Sequence, residues 1–197
     1  MMTLKVLGVG SSMRHGSFST ETLKIILNNV NKNGGDTRLL NLYSNPLPMY
    51  TAEYNEKLSG IKHAVELVNW ADALVLATPD YHGSMAGSLK NFLDYFWAEF
   101  AGKTFGYLCS SHEKGLTVMD QMRTAIRQCY GWSLPYGISI NSNLDFNEDR
   151  EIINLQLLGR LESFARDLVV YGGLISNQFK KDLDSTIQNS YAVHYRK

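Results

Sequence analysis

Hydroxyl groups and one guanidinium lie close together near the start of the sequence. Residues 10–19 read GSSMRHGSFS, in which Ser12, Ser17 and Ser19 offer hydroxyl donors. Arg14 adds a planar positive group whose paired N–H donors match phosphate oxygens. Gly16 leaves room for a ligand to approach the backbone closely. These residue types indicate a loop that binds a terminal phosphate dianion. The residues alone also allow an ordinary serine-rich loop that caps a helix.

Two common nucleotide-binding motifs do not match this segment. A P-loop requires Gly-Lys-Ser/Thr after its glycines, and no such triplet follows. The dinucleotide fingerprint requires a third glycine where GVGSSM has Met13. The expected phosphate therefore belongs to something other than a nucleoside triphosphate or a stably held NAD.

Strand-like and helix-like patterns alternate five times along the chain. Apolar runs typical of strands occur at residues 4–10, 37–42, 71–79, 103–111 and 134–141. Apolar residues with helical spacing follow each run, as at Leu23, Ile26, Leu27 and Val30. This alternation predicts a single α/β domain over residues 1–197, with a polar C-terminal tail from about residue 174. Its core is a five-stranded parallel sheet with helices on both faces. Ligands of such sheets bind at the carboxyl ends of the strands, so the loops after strands one, three and four are candidate sites.

Two further loops at that edge carry polar and aromatic side chains. Residues 78–96 read TPDYHGSMAGSLKNFLDYF, with a turn that begins after Pro79. Tyr81 is placed to cover a flat ring system, or alternatively to pack on a neighbouring residue. Residues 109–115 read CSSHEKG, where Ser110 and Ser111 suit the polar edge of a heterocycle.

Together the first two loops resemble the NADPH-dependent FMN reductase family, which has a flavodoxin-like fold. That family pairs a GS-x-R-x-x-S-x-N loop with a T-P-E-Y…P-G-x-L-K-N-x-x-D segment. Here the corresponding stretches are GSSMRHGSFS and TPDY…AGSLKNFLD, and they extend the resemblance over about residues 4–135. The chain departs from the pattern at Ser19, where asparagine is usual, at Asp80, where glutamate is usual, and at Ala86, where proline is common. The third loop reads SSHEKG instead of a glycine-rich Ser-Gly-Gly.

The resemblance implies a site for FMN in these three loops. Ser12, Arg14, Ser17 and Ser19 would contact the phosphate. Pro79 to Ser84 would line the isoalloxazine ring and ribityl chain, with Ser110 to His112 near the pyrimidine edge. The backbone N–H groups at Ser111–His112 and the start of the fourth helix would stabilise negative charge on the reduced flavin. The full predicted set is Ser12, Arg14, Ser17, Phe18, Ser19, Pro79, Asp80, Tyr81, His82, Gly83, Ser84, Ser110, Ser111 and His112. No side chain is predicted to be catalytic, since the chemistry takes place on FMN.

The function that follows is that of an FMN-dependent NAD(P)H oxidoreductase. NADPH, as a transient substrate, would pass a hydride through bound FMN to an acceptor in a ping-pong mechanism. The acceptor would be a small molecule, such as free flavin, a quinone, an azo or nitro compound, or a metal ion. The alternative is a flavodoxin-like electron carrier without NAD(P)H turnover of its own. Such carriers are typically acidic, whereas Lys+Arg and Asp+Glu number 19 each here.

Composition limits the remaining functions. The balanced charge gives no basis for nucleic-acid binding or attachment to an acidic membrane surface. Only Cys109 and Cys129 carry thiols, which is typical of a reducing compartment. No signal peptide or apolar run of about 20 residues is found, so a cytoplasmic protein is expected. The spacing of the histidines matches no metal motif, and no metal site is predicted.

One aromatic cluster raises the question of oligomeric state. Its members are Phe92, Tyr95, Phe96, Trp97 and Phe100. Such a cluster is more often core than surface, but it is wider than one helix stripe needs. An exposed apolar patch usually marks a partner. The resemblance also implies self-association, and the expectation is a homodimer or homotetramer.

Overall fold

A computed structural model describes residues 3–55 and 58–196 of the chain. Its strands are β1 (Lys5–Gly10), β2 (Asp36–Asn41), β3 (Ala73–Tyr81), β4 (Ser84–Met85), β5 (Thr104–Ser110), β6 (Trp132–Ser133) and β7 (Ile138–Ile140). Its helices are α1 (Phe18–Lys32), α2 (Ser59–Trp70), α3 (Gly87–Asp94), α4 (Leu116–Gln128) and α5 (Leu155–Asp184), with 3-10 turns at Ala98–Phe100 and Tyr191–Tyr195.

The main sheet is parallel and has the order β2-β1-β3-β5, with β6 and β7 both beside β5. Of the predicted fifth strand, residues 134–141, only Ile138–Ile140 form a strand, and β6 lies just before the predicted residues. β6 pairs with the start of β5, at Thr104, and β7 pairs with its end, at Leu108. Between β6 and β7 lies Pro135, which has no N–H to donate to a neighbouring strand. β4 runs antiparallel to β3 and forms a hairpin with its end.

Helices cover both faces of the sheet, as the alternating pattern predicts. Alternate residues of β3 serve the two faces: Val75 lies in the core beneath α1 and α5, whereas Leu74 and Leu76 lie in the core beneath α2, α3 and α4. The apolar stripe of α1 is buried throughout. The three-layer α/β sandwich is therefore confirmed.

The first helix begins at the residues singled out as phosphate ligands. Ser17 is its N-cap, and its hydroxyl oxygen accepts a hydrogen bond from the Thr20 N–H at 3.2 Å. The start of α1 therefore turns its N–H groups toward residues 12–19, at the carboxyl end of β1.

The last helix continues beyond the point at which the sequence predicts a polar tail. α5 runs through residue 174 to Asp184. Its polar side chains are used for anchoring, since Ser176 and Lys180 both donate hydrogen bonds to Asp72, at 3.2 and 2.6 Å. Phe179 lies against Gly102. Polar side chains that bind the sheet edge look like solvent-facing residues in the sequence, which explains the difference.

The aromatic cluster is mostly core. Its buried members are Phe92, Tyr95, Phe96 and Phe100. Trp97 instead leaves 64% of its surface exposed. None of the helices within residues 3–55 and 58–196 combines the length and apolar character that a bilayer crossing requires.

Candidate functional site

Four chain segments meet at the carboxyl ends of β1, β3, β5 and β7 and enclose a cavity of about 400 Å³. This volume lies within the usual range for small-molecule sites, about 300–1,000 Å³. The lining residues are Ser12, Arg14, Gly16, Ser17, Phe18, Ser19, Pro79, Asp80, Tyr81, Ser110, Ser111, His112, Ser142 and Arg150. From β1 the chain continues to β2 on one side of the sheet and then to β3 and β5 on the other side. The cavity therefore lies at the switch in strand order between β1 and β3, where doubly wound sheets bind ligands.

Most of the predicted site residues line this one cavity. Those that do are Ser12, Arg14, Ser17, Phe18, Ser19, Pro79, Asp80, Tyr81, Ser110, Ser111 and His112. The structure does not bring His82, Gly83 and Ser84 to its wall. They form the tip of the β3–β4 hairpin, in which Tyr81 pairs with Ser84.

Burial and hydrogen bonds within the protein hold the serines of the first loop in place. Ser12, Ser17 and Ser19 are buried. The Ser12 hydroxyl oxygen accepts from the Arg14 N–H at 3.3 Å, which closes the loop locally. The Ser17 hydroxyl donates to Thr20 Oγ1 at 2.8 Å. The loop is therefore a fixed set of polar groups around the start of α1.

Asp80 joins the second loop to the third. Its Oδ1 accepts from the Gly83 N–H at 2.9 Å, and its Oδ2 accepts from the Ser111 hydroxyl at 2.8 Å. Both carboxylate oxygens are thus engaged within the protein. Asp80 acts on the cavity by holding the hairpin and the Ser111 segment together.

The hairpin tip is also fixed on α4. His82 and Gly83 have positive φ values of 57° and 75°, as a tight two-residue hairpin requires. The Gln121 side chain donates from Nε2 to the Gly83 carbonyl at 3.1 Å and accepts at Oε1 from the Ser84 hydroxyl at 2.9 Å. These bonds explain why this turn faces α4 and not the cavity.

The third loop corrects one expectation about backbone donors. The Ser111 N–H donates to the Ile140 carbonyl at 2.9 Å, so it continues the pairing of β5 with β7. The prediction that this amide faces a reduced flavin is therefore wrong. The Ser111 hydroxyl oxygen also accepts from the Glu113 N–H at 3.1 Å. The His112 amide and the start of α4 stay the candidates for this role.

Three lining residues are absent from the predicted set, namely Gly16, Ser142 and Arg150, although the sequence singles out Gly16 for the room it gives a ligand. Gly16 lies inside the first loop and has a φ of 59°, which favours glycine. Ser142 follows β7, and the rule that points to carboxyl ends of strands would have found it. Arg150 lies in a long segment without periodicity, where no local signal marks it.

The residues present fit a phosphorylated flavin. The first loop offers hydroxyls and a helix start to an anion, with the guanidinium groups of Arg14 and Arg150 beside them. Tyr81 lines the same cavity with 48% of its surface exposed, which suits contact with a planar ring.

Similar proteins carry names that agree with this chemistry. A NAD(P)H-dependent FMN reductase of Pseudomonas aeruginosa is 37% identical over 120 residues, which cover 55% of this chain and 60% of that protein. A NADPH azoreductase of a Bacillus species is 34% identical over 101 residues, which cover 49% of this chain and 57% of that protein. The chain thus spans less than two thirds of the length of these relatives.

A solved structure shares the fold. The apo form of a NADH:FMN oxidoreductase superposes with a TM-score of 0.71 at 17% identity, over 86% of this chain and 90% of the other. The sequence profile described as NADPH-dependent FMN reductase matches residues 4–143, well over half of the 197 residues, and includes the first three of the four cavity segments together with Ser142. On this match, the chain belongs to the NADPH-dependent FMN reductase family.

Proposed function

We propose that this protein is an oxidoreductase that binds FMN in the cavity and uses it to oxidise NAD(P)H. The observation that carries the proposal is the cavity itself, in which the buried serines of the α1 loop and Arg14 lie at the switch point of the sheet. Family membership and relatives named as FMN reductase and azoreductase support it.

Bound FMN would supply the redox chemistry, taking a hydride from NAD(P)H and passing electrons to a second acceptor. The chain's own groups bind and orient. Ser12, Ser17, Ser19 and Arg14 would hold the phosphate, and Tyr81 would contact the ring. Asp80 keeps the Ser111 segment in place through the 2.8 Å bond. No side chain needs to transfer a proton. The acceptor would be a free flavin, quinone, azo or nitro compound, or metal ion. One cavity that serves donor and acceptor in turn implies ping-pong kinetics.

The second candidate is an electron carrier without NAD(P)H turnover. Electron carriers of this fold rely on a peptide bond at a glycine that flips so that its carbonyl points toward the flavin N5. Gly83 is the glycine in the corresponding hairpin of this chain. Here the peptides on both sides of Gly83 are hydrogen bonded, one to Asp80 and one to Gln121. Together with the zero net charge, this favours the reductase.

Two measurements test the proposal. The dissociation constants of FMN and riboflavin test the phosphate site, because several charge-assisted bonds of roughly 1.5–3 kcal/mol each should separate them by orders of magnitude. Equal constants would rule the phosphate site out.

Anaerobic stopped-flow mixing of the FMN-loaded protein with NADPH or NADH tests whether the protein oxidises these donors. We expect rapid bleaching of the flavin, and parallel steady-state plots with a quinone as acceptor. A flavin that saturating NADPH and NADH both leave oxidised would support the carrier instead.

A further inference from the structure

Arg150 reaches the phosphate loop from the other end of the chain. It belongs to the segment between β7 and α5, residues 141–154, here called the β7–α5 arm. Its guanidinium donates to the Gly16 carbonyl, and its Cζ lies 4.3 Å from the centre of the Phe18 ring. It therefore lies directly over the turn that leads into α1, and it lines the same cavity as Ser12 and Arg14.

The β7–α5 arm is built around one buried carboxylate. Asp145 is only 8% exposed. Its Oδ2 accepts from the Asn141 N–H at 2.7 Å, and its Oδ1 accepts from Asn154 Nδ2 at 2.7 Å. These bonds connect the two ends of the arm and hold its middle in one position.

The outer half of the arm forms a closed turn that ends at Arg150. Phe146 pairs with Ile152 as an antiparallel bridge, and the Arg150 N–H donates to the Asn147 carbonyl at 2.9 Å. Arg150 itself has a φ of 66°, a left-handed conformation that an arginine rarely adopts. The Phe146 ring lies 4.7 Å from that of Phe18, which fixes the arm to the start of α1. The arm thus presents this one side chain to the loop.

We propose that Arg150 is a second phosphate-binding arginine, which contacts a ligand's terminal phosphate together with Arg14. This inference rests on the proposed function and adds to it a residue outside the stretch that matches the family, residues 4–143. A phosphomonoester carries a charge of about −1.5 to −2 at neutral pH. The guanidinium groups of Arg14 and Arg150 together would balance that charge. Without a phosphate, the hydrogen-bond acceptor of Arg150 is the neutral Gly16 carbonyl, which binds a guanidinium less strongly than an anion does.

The test compares ligands that differ only in the phosphate. Arg150→Met keeps an apolar stem against Phe18 and removes the charge, Arg150→Lys keeps a charge without the planar fork, and Arg127→Met is the matched control in the last turn of α4. Dissociation constants for FMN and riboflavin are measured by fluorescence titration, with melting temperatures of the ligand-free proteins.

For Arg150→Met we expect FMN affinity to fall about tenfold or more while riboflavin affinity is unchanged. Arg150→Lys should lie between Arg150→Met and the native protein, and Arg127→Met should match the native protein. Unchanged FMN affinity in Arg150→Met would overturn the inference. So would an equal loss for FMN and riboflavin, since it would show that Arg150 only supports the loop. A native protein that binds FMN and riboflavin equally would instead refute the proposed phosphate site.

Discussion

Arg14 and Arg150 differ in what already holds them. Arg150 has a carbonyl acceptor and an aromatic ring within the protein, whereas the Arg14 guanidinium has no hydrogen-bond or ion-pair partner among the described residues. We therefore expect Arg14→Ala to lower FMN affinity about tenfold or more and to change the free energy of unfolding by less than about 0.5 kcal/mol.

Fluorescence titration and urea unfolding check this prediction, with Lys32→Ala in the last turn of α1 as the control. A large loss of stability with FMN affinity intact would show that Arg14 has a structural role.

Cys109 illustrates a reactive group made inert by its surroundings. Burial raises the pKa of its thiol to about 12, and the nearby Asp80 charge adds to the effect. Burial likewise raises the pKa of Cys129. Because only the thiolate is nucleophilic, we expect neither to react with iodoacetamide at pH 8 in the native protein, and both to react after unfolding in urea. Intact-mass measurement counts the adducts, and rapid labelling of native Cys109 would contradict the prediction.

At the residue scale, the sequence identifies groups better than it identifies their partners. The serines of the first loop lie close together in the chain, so the sequence predicts that they share one site, and they do line one cavity. The contacts of Asp80 with Ser111 and of Arg150 with Gly16 join residues far apart in the chain. A single sequence contains no signal for such pairs, so the role of Asp80 and the presence of Arg150 were not predicted.

At the scale of the elements, α5 is anchored to the sheet through one carboxylate. Asp72 accepts from the Lys5 N–H at 3.1 Å as well as from Ser176 and Lys180. Burial by itself raises the pKa of Asp72, but the hydrogen bonds from Lys180, Lys5 and Ser176 and the Lys180 charge outweigh it. The net pKa is below the usual value of 3.8.

This shift predicts a pH-dependent contribution to stability. Between the two pKa values the unfolded chain binds more protons than the folded one, so stability rises with pH through that window. The contribution is complete above the unfolded pKa of about 3.9 and is lost as the pH falls through the lower folded value. We expect Asp72→Asn to lower the free energy of unfolding by about 1 kcal/mol at pH 7.

The difference between Asp72→Asn and the native protein should shrink in urea titrations carried out at successively lower pH below about 4. Asp120→Asn, which removes an exposed pair with Arg123, should cost little at any pH. A cost for Asp72→Asn that stays constant with pH would show that the lowered pKa is not its source.

The sequence predicts the helices and strands correctly where their hydrophobic periodicity is strong, and less well where that periodicity is weak. The apolar runs of β1, β3 and β5 and the stripe of α1 lead directly to the layered sheet. The apolar residues of the segment 134–141 predict one continuous strand, but only Ile138–Ile140 pair with β5, and Pro135 separates them from β6. The end of α5 has the sequence of a polar tail because its anchoring residues are polar.

At the scale of the whole molecule, the surface around Trp97 is where self-association is expected. Trp97 is exposed beside a cavity of about 650 Å³ that Tyr50, Tyr54 and Tyr95 also line. Apolar surface of this kind usually marks an interface. We expect light scattering to give two or four times the mass of one chain, and Trp97→Glu to reduce it. Leu174→Glu, an exposed site on α5 across the sheet, is the control. A native protein that stays monomeric at all concentrations would contradict the prediction.

The cavity is assembled from segments spread over residues 12–150, and this has a consequence for protein synthesis. On the ribosome, the serine loop emerges early, while β7 and Arg150 follow only after most of the sheet has been translated. Until then Ser111 lacks the Ile140 carbonyl that its N–H binds, and the first loop lacks its contact with Arg150. A nascent chain that has exposed β1, β3 and β5 therefore holds only part of the cavity wall, and the full set of lining residues is available only after residue 150 has left the exit tunnel.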